Sequence, residues 1–307
     1  MATRPHSAVD LERVFERAVV AKTCRLLYVP TTKVLSTSML WMLASAEGDP
    51  DSRTLASVIG STRAQTVHDP LVHQLPMLSG VSRAIRSEAL TSSRWMRLGI
   101  TRDPYARLHS AWQHKILLQT PGQLAFHPPD FAFDRMGALD VGASFRAFVR
   151  FLDENWHAVT ADQHFWTQVD SLAIGKIDYT DLFRLDRLDE LLTRLARHAP
   201  ALARPLLRYN ESPSIDYRRC YDAETAAIVA RRYRADFEVL GYDATQPAPL
   251  DGPVVLDPLA QDLLNAVHQR NQRIDMIRKG AGIRWELVRQ RRALRNLLVR
   301  FRPARHS

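Results

Sequence analysis

The sequence predicts an α/β domain built on a mostly parallel sheet with helices on both sides, followed by a helical C-terminal extension. Twice, a short apolar run leads into a polar loop and then a helix-forming segment. The first such unit is RLLYV (Arg25 to Val29), the loop TTKVLSTS, and the buried helix MLWMLASA from Met39. The second is MRLGIT (Met96 to Thr101), the turn RDPY, and a helix through Trp112 and Ile116. A third strand candidate, Ile177 to Leu185, precedes another amphipathic segment. Strands alternating with helices favour a parallel sheet with right-handed crossovers. Ligands in such sheets bind beyond the C-terminal strand ends, where both polar loops fall.

Each element has a local reason. Pro30 ends the first strand because proline cannot donate to a ladder. Asp103 is placed as a helix N-cap with Pro104 at the first helical position. Ser144 to Trp156 has the helical period, with Phe145, Phe148, Val149 and Leu152 on one face. Asp186 is expected to cap a helix with Leu188, Leu191, Leu192 and Leu195 along one side. Asp222 to Leu240 reads as one helix closed by Gly241. The stretch 54–94 reads as loop and short helices, and 121–142, rich in Gly, Pro and Asp, as a long surface loop. These elements make a domain over 1–246. Residues 247–307 read as a proline-rich linker, with four prolines from Pro247 to Pro258, and a basic helical tail broken around Gly280 and Gly282.

Composition narrows the function. The chain has 307 residues, 46% hydrophobic and 24% charged, as in ordinary globular proteins. Acidic and basic residues interrupt the N-terminal twenty residues, so no secretory leader is expected, and no apolar run is long enough for a membrane span. Two cysteines, Cys24 and Cys220, make neither a disulfide framework nor a four-cysteine zinc site, and a reducing, cytoplasmic compartment is expected. Of the net charge of +9, residues 251–307 carry +7, from 12 Lys/Arg against 5 Asp/Glu. The basic pI describes the tail, which argues against a general nucleic-acid surface. The tail's apolar stripe (Leu259, Leu263, Val267, Ile274, Ile277), followed by arginines from Arg289 to Arg305, fits a homo-oligomer contact, a peripheral contact with the inner face of a membrane, or one face packed on the domain.

Two loops carry the chemistry. In the first, a strand-to-helix turn aims backbone N–H groups at an anion over the helix start. Lys33 adds a charge, and Ser36, Thr37 and Ser38 add hydroxyls. The loop lacks the two glycines of a Walker A sequence, which disfavours a kinase or NTPase. The same residues also fit a plain capped helix start. In the second loop, Arg102 stands at a strand end with Ser110 eight residues on.

Together, PTTKVLSTS and RDPYARLHS resemble the two phosphate-holding motifs of the PAPS-dependent sulfotransferases (donor 3′-phosphoadenosine 5′-phosphosulfate), in particular the carbohydrate branch and its bacterial relatives. HFWTQ (His164 to Gln168), GKIDYTDLFRLDRLDELL and RRYRADFEVLGYD resemble further elements in the same order, over roughly residues 24–243. The resemblance implies a P-loop-like three-layer fold, a 5′-phosphosulfate held by Lys33, Ser36, Thr37 and Ser38, and a 3′-phosphate held by Arg102 and Ser110. It implies no metal, a carbohydrate or glycolipid acceptor, and PAP as the product. Lys33 is the candidate for stabilising the leaving phosphate. A base is expected between the two loops, and His68 leads His73 and Glu88 for that role. His164 and Gln168 lie one turn apart if helical, and either face the acceptor or lock the loop beside the donor. The chain departs from its relatives at Thr32, where a proline is usual, and at Leu35 and Ser36, where small residues or cysteine are usual. RKG at Arg278 to Gly280 resembles a 3′-phosphate element of cytosolic-type sulfotransferases. Two other readings stand beside this one: an inactive sulfotransferase-like binding protein, and a nucleic-acid-binding protein acting through the tail, which lacks a recognisable binding fold.

Overall fold

A computed structural model describes residues 11–48, 67–68, 73–119, 140–206, 215–245, 254–277 and 280. Its sheet has four strands in the order β1-β2-β3-β4: β1 (Val19–Ala21), β2 (Leu26–Val29), β3 (Met96–Thr101) and β4 (Asp181–Arg184). β1 is antiparallel to β2, while β2, β3 and β4 run parallel. The fold is thus α/β with a mostly parallel sheet, as the alternating pattern predicts. β1 was not anticipated, because three apolar residues are too short a run to separate from a helix end.

Both inner strands are buried along their whole length, which explains why they read as continuous apolar runs. Their side chains alternate between two cores. Leu26, Tyr28, Leu98 and Ile100 face α2 (Ser36–Ala46) and, further along the chain, Leu191 and Leu195. Leu27 and Val29 face the opposite side, with Val14 of α1 (Leu11–Phe15) and Ala89 of α3 (Arg83–Thr91). Helices therefore cover both faces, the three layers that the resemblance implies. A Cβ added at Gly99 in β3 would come 2.8 Å from Leu182, 3.1 Å from Tyr179 and 3.2 Å from Leu172, so a larger residue there would have to push these side chains aside.

After β3, Asp103 accepts from the N–H of Ala106 at 2.8 Å and Pro104 opens α4 (Pro104–Trp112), the start foreseen from RDPY. A π-helical turn, Gln113–Leu117, extends α4. A third core joins Tyr105, Leu108 and Trp112 of α4 to α5 (Val141–Glu154), with Phe145, Phe148 and Leu152. The short α6 (Trp156–Val159) and α7 (Gln168–Ser171) follow.

Of the strand candidate Ile177 to Leu185 only Asp181–Arg184 is strand, and three helix readings differ from the structure as well. α2 begins at Ser36 rather than Met39, so the Ser/Thr cluster is its first turn and not loop. α8 (Leu188–His198) is not capped by Asp186, whose carboxylate is held by Arg184 at 3.0 Å instead. Asp222 to Leu240 is two helices, α9 (Ala223–Arg232) and α10 (Arg234–Leu240), because Tyr233 leaves helical geometry (φ −104°, ψ 22°). Its hydroxyl donates to the Phe165 carbonyl at 2.9 Å, a buried contact that periodicity does not register. Asp222 and Thr225 form a reciprocal capping box, and Gly241 closes α10 at φ 68°.

Residues 258–277 form α11. The chain leading to it pairs Val255 with Asp140, and the Val254 carbonyl accepts from Val141. α11 buries Leu264, His268 and Asn271, whereas Leu259, Leu263, Ile274 and Ile277 face solvent. The face it packs on the domain is thus not the apolar stripe singled out in the sequence. His268 and Asn271 instead reach the carbonyls of Leu117 and Leu118, at 2.5 and 2.6 Å. Among the described residues no helix is long and apolar enough to cross a membrane. Cys24 and Cys220 are free and buried. The arginines from Arg289 onward and the RKG element, apart from Gly280, lie outside the described residues.

Candidate active site

The loop between β2 and α2 holds two non-glycine residues in left-handed geometry, Lys33 (φ 65°) and Leu35 (φ 54°). Each such conformation costs about 1–2 kcal/mol and persists where the surroundings fix it, as functional sites commonly do. Leu35 packs its side chain on the core of α2, so its bulk is directed into the protein. It stands at the N-cap of α2 and offers no side-chain cap. The first turn of α2 carries the hydroxyls of Ser36, Thr37 and Ser38, and a helix start of this kind suits an anion.

The second loop meets the first. Arg102 Nη1 donates to the Lys33 carbonyl at 3.4 Å. The main chain of Arg102 is clamped by Gln168, whose Oε1 accepts from the Arg102 N–H at 2.8 Å while its Nε2 donates to the Arg102 carbonyl at 2.8 Å. Gln168 is fully buried at the start of α7, where the Asp236 carboxylate accepts from the N–H groups of Gln168 and Val169, both at 2.9 Å. Gln168 therefore locks the loop, one of the two roles read from HFWTQ. Gln168 and His164 are not one helical turn apart. His164 lies in a separate 3-10 turn, Gln163–Phe165. Ser110 is half-buried two turns into α4, and its hydroxyl makes no hydrogen bond among the described residues.

Arg107, which the sequence reading passed over, joins the parts. It is 1% exposed. Its Nε and Nη2 donate to the carbonyl and hydroxyl of Thr32 at 3.2 and 3.1 Å, and Nη1 donates to the Trp166 carbonyl at 2.7 Å. Thr32, where relatives carry proline, thus gives its hydroxyl to this network. The readable signal was a second arginine inside the motif itself, R-D-P-x-x-R.

Histidines gather around Lys33. His68 Nε2 lies 2.9 Å from Thr37 Oγ1, so the sequence-predicted base stands against the first turn of α2. Asp69, its neighbour in sequence, lies outside the described residues. His164 Nδ1 is 2.7 Å from Asp162 Oδ1. The His114 ring, in the π-helical turn, is 5.9 Å from that of His164, and both its nitrogens are buried without a hydrogen-bond partner among the described residues. His73 is buried, with Nδ1 accepting from the Leu75 N–H, and Glu88 pairs with Arg94 at 3.1 Å on α3. The Glu88 contact stands apart from the cluster, whereas His73 lies near enough to His68 to act on its charge.

The electrostatics are cationic. Lys33 is lowered to about 8, first by loss of solvent, then by Arg102 and Lys115. His114 is held well below the ordinary histidine value by burial, then by Lys33, His164, Lys115 and His68. His68 is lowered in the same way, by loss of solvent and then by His164, His73 and Lys33. The residue is nonetheless exposed. For His164, burial lowers the value and the Asp162 carboxylate opposes it. Cations crowded at a helix start, with uncharged imidazoles beside them, suit a multiply charged anion and a hydroxyl to be deprotonated. Among the described residues no His, Cys, Asp or Glu group could hold a metal ion.

No curated protein and no solved structure matches the chain. A family model described as "Sulfotransferase family" matches residues 16–243, which takes in β1 to β4, both loops and the histidine cluster. With well over half its length matched, the chain belongs to the sulfotransferase family.

Proposed function

We propose that the chain transfers the sulfuryl group of PAPS to a hydroxyl of a carbohydrate, either free or on a glycolipid. The observation that carries this is the contact of Arg102 with the Lys33 main chain, which joins the two anion-holding loops into one site. In this reading the first turn of α2, with Ser36, Thr37 and Ser38, receives the 5′-phosphosulfate. Arg102 and Ser110 receive the 3′-phosphate.

The acceptor oxygen forms a bond to sulfur as the bond from sulfur to the 5′-phosphate oxygen breaks. The electron pair leaves on that phosphate, where Lys33 meets the growing charge. The hydroxyl proton passes to an imidazole of the cluster, of which His68 is the member that the sequence singles out. The carbohydrate acceptor rests on the likeness of both loop motifs to that branch of the family.

Thermal unfolding with PAP tests the donor site. A rise in Tm that saturates with PAP, and is not reproduced by ATP, is expected. No rise at millimolar PAP overturns the proposal. Transfer of labelled sulfate from PAPS to the soluble and lipid fractions of a cell extract then tells the two acceptor classes apart.

A further inference from the structure

The geometry points to His164, oriented by Asp162, as the group that takes the proton from the acceptor hydroxyl, with His68 serving to hold Thr37. This rests on the transfer reaction proposed above.

Both the main-chain N–H and Nδ1 of His164 are directed to one carboxylate oxygen, Asp162 Oδ1, at 2.9 and 2.7 Å. A carboxylate accepts only, so Nδ1 carries the proton and Nε2 keeps its lone pair. No hydrogen bond among the described residues reaches Nε2. An imidazole with one nitrogen fixed on a carboxylate and the other open is the arrangement of a general base. His68 differs on both counts. Its Nε2 is engaged by the Thr37 hydroxyl, and no carboxylate among the described residues orients it.

Two further observations direct His164 to the reacting centre. Arg107 donates to the His164 and Trp166 carbonyls at 3.4 and 2.7 Å and to both oxygens of Thr32. One rigid cation thereby sets the spacing between the His164 turn and the residue before Lys33. Beside it, the His114 ring has both nitrogens buried and, among the described residues, unpartnered. Buried polar groups are seldom left so without a bound water, ion or ligand. An acceptor rich in hydroxyls supplies those partners next to His164.

In the step, the acceptor O–H bond breaks and its proton goes to His164 Nε2. The acceptor oxygen bonds to sulfur, and the sulfur–phosphate oxygen bond releases PAP. The imidazolium, stabilised by Asp162, then gives the proton to water.

The test compares wild type with His164→Gln, Asp162→Asn and His68→Asn. Transfer is read from ³⁵S-labelled PAPS to the polysaccharide fraction of a cell extract, and the donor site and folding are read from the PAP-induced rise in Tm. His164→Gln is expected to lower transfer at least about a hundredfold with the PAP response retained. His68→Asn is expected to raise the KM for PAPS and lower kcat less than about tenfold.

Asp162→Asn supplies a readout that a merely structural role does not move. The groups facing His164 are Asp162, His114, Lys115, Lys33, His68 and Arg107, and among them only Asp162 is negative. Removing that charge lowers the histidine's value, so the acid limb of the rate profile moves to lower pH by about one unit, over a reduced plateau. Transfer by His164→Gln within about fivefold of wild type overturns the assignment. So does a hundredfold loss in His68→Asn at unchanged PAP affinity, which returns the base to His68. Should a His164 variant lose the PAP response through misfolding, the acid limb in Asp162→Asn decides, and an unmoved limb overturns the assignment. A wild type that neither binds PAP nor transfers sulfate fails at the proposed reaction itself, and the assignment falls with it.

Discussion

Arg107 grips Thr32 twice, Nε on its carbonyl at 3.2 Å and Nη2 on its hydroxyl at 3.1 Å. A buried guanidinium thus fixes both main chain and side chain of the residue before Lys33. Truncating one partner of a buried charged network leaves the others unsatisfied. Arg107→Ala is therefore expected to cost about 3 kcal/mol or more of stability, read by denaturant unfolding. Arg107→Lys recovers little, because an ammonium cannot span the fork. A loss below about 1 kcal/mol in Arg107→Ala shows that the network is dispensable.

With Lys33 in the proposed donor site, PAP binding is expected to depend on pH. The lysine's value of about 8 in the free protein rises when an anion arrives, so at pH 8 the lysine takes up a proton as PAP binds. Affinity is greatest below that pH and falls as pH rises through it. Calorimetry in two buffers of different ionisation enthalpy measures the uptake. Lys33→Arg, charged at every accessible pH, abolishes it. Affinity that is flat from pH 7 to 9.5 counts against the contact.

Lys33→Ala is expected to lower turnover more than PAP affinity, because charge on the leaving phosphate grows in the transition state. Parallel losses in kcat and in PAP binding assign Lys33 to uniform binding instead.

Arg102→Ala removes a charge-assisted contact, and PAP affinity is expected to fall about tenfold to a hundredfold. Gln168→Glu is a subtler version of the same test. It keeps an acceptor for the Arg102 N–H, loses the donor to its carbonyl, and sets a second carboxylate beside Asp236, which lies 3.4 Å from Gln168 Nε2. Weaker PAP binding together with a lower Tm is expected. Unchanged PAP affinity in Gln168→Glu separates the clamp from the donor site.

The parallel strands and both loops were legible because local signals fix them: continuous apolar runs, Asp-Pro at a helix start, and a lysine among hydroxyls. β3 matched residue for residue because it is buried on both faces. What escaped depends on contacts distant in sequence. Arg107 is the plainest case, an arginine on a helix that periodicity assigns to solvent, yet whose partners come from Thr32, His164 and Trp166. His114 escaped because a π-helical turn changes which side chains align after Trp112, and nothing in QHKIL announces that turn. Asp162 was readable in principle from its D-x-H spacing, which lets a carboxylate receive both the backbone and ring N–H of His164.

α11 carries a consequence for how the protein can be divided. The family match stops at residue 243, while His268 and Asn271 engage the carbonyls at 117 and 118, two residues after Lys115. The border drawn by kinship and the border drawn by folding therefore do not coincide. A chain shortened after residue 245 retains the whole family match and loses the brace on the turn that bears His114. Such a truncation is expected to keep its helical circular dichroism, melt earlier and transfer less sulfate. What kinship leaves out as a tail thus holds the end of the π-helical turn in place.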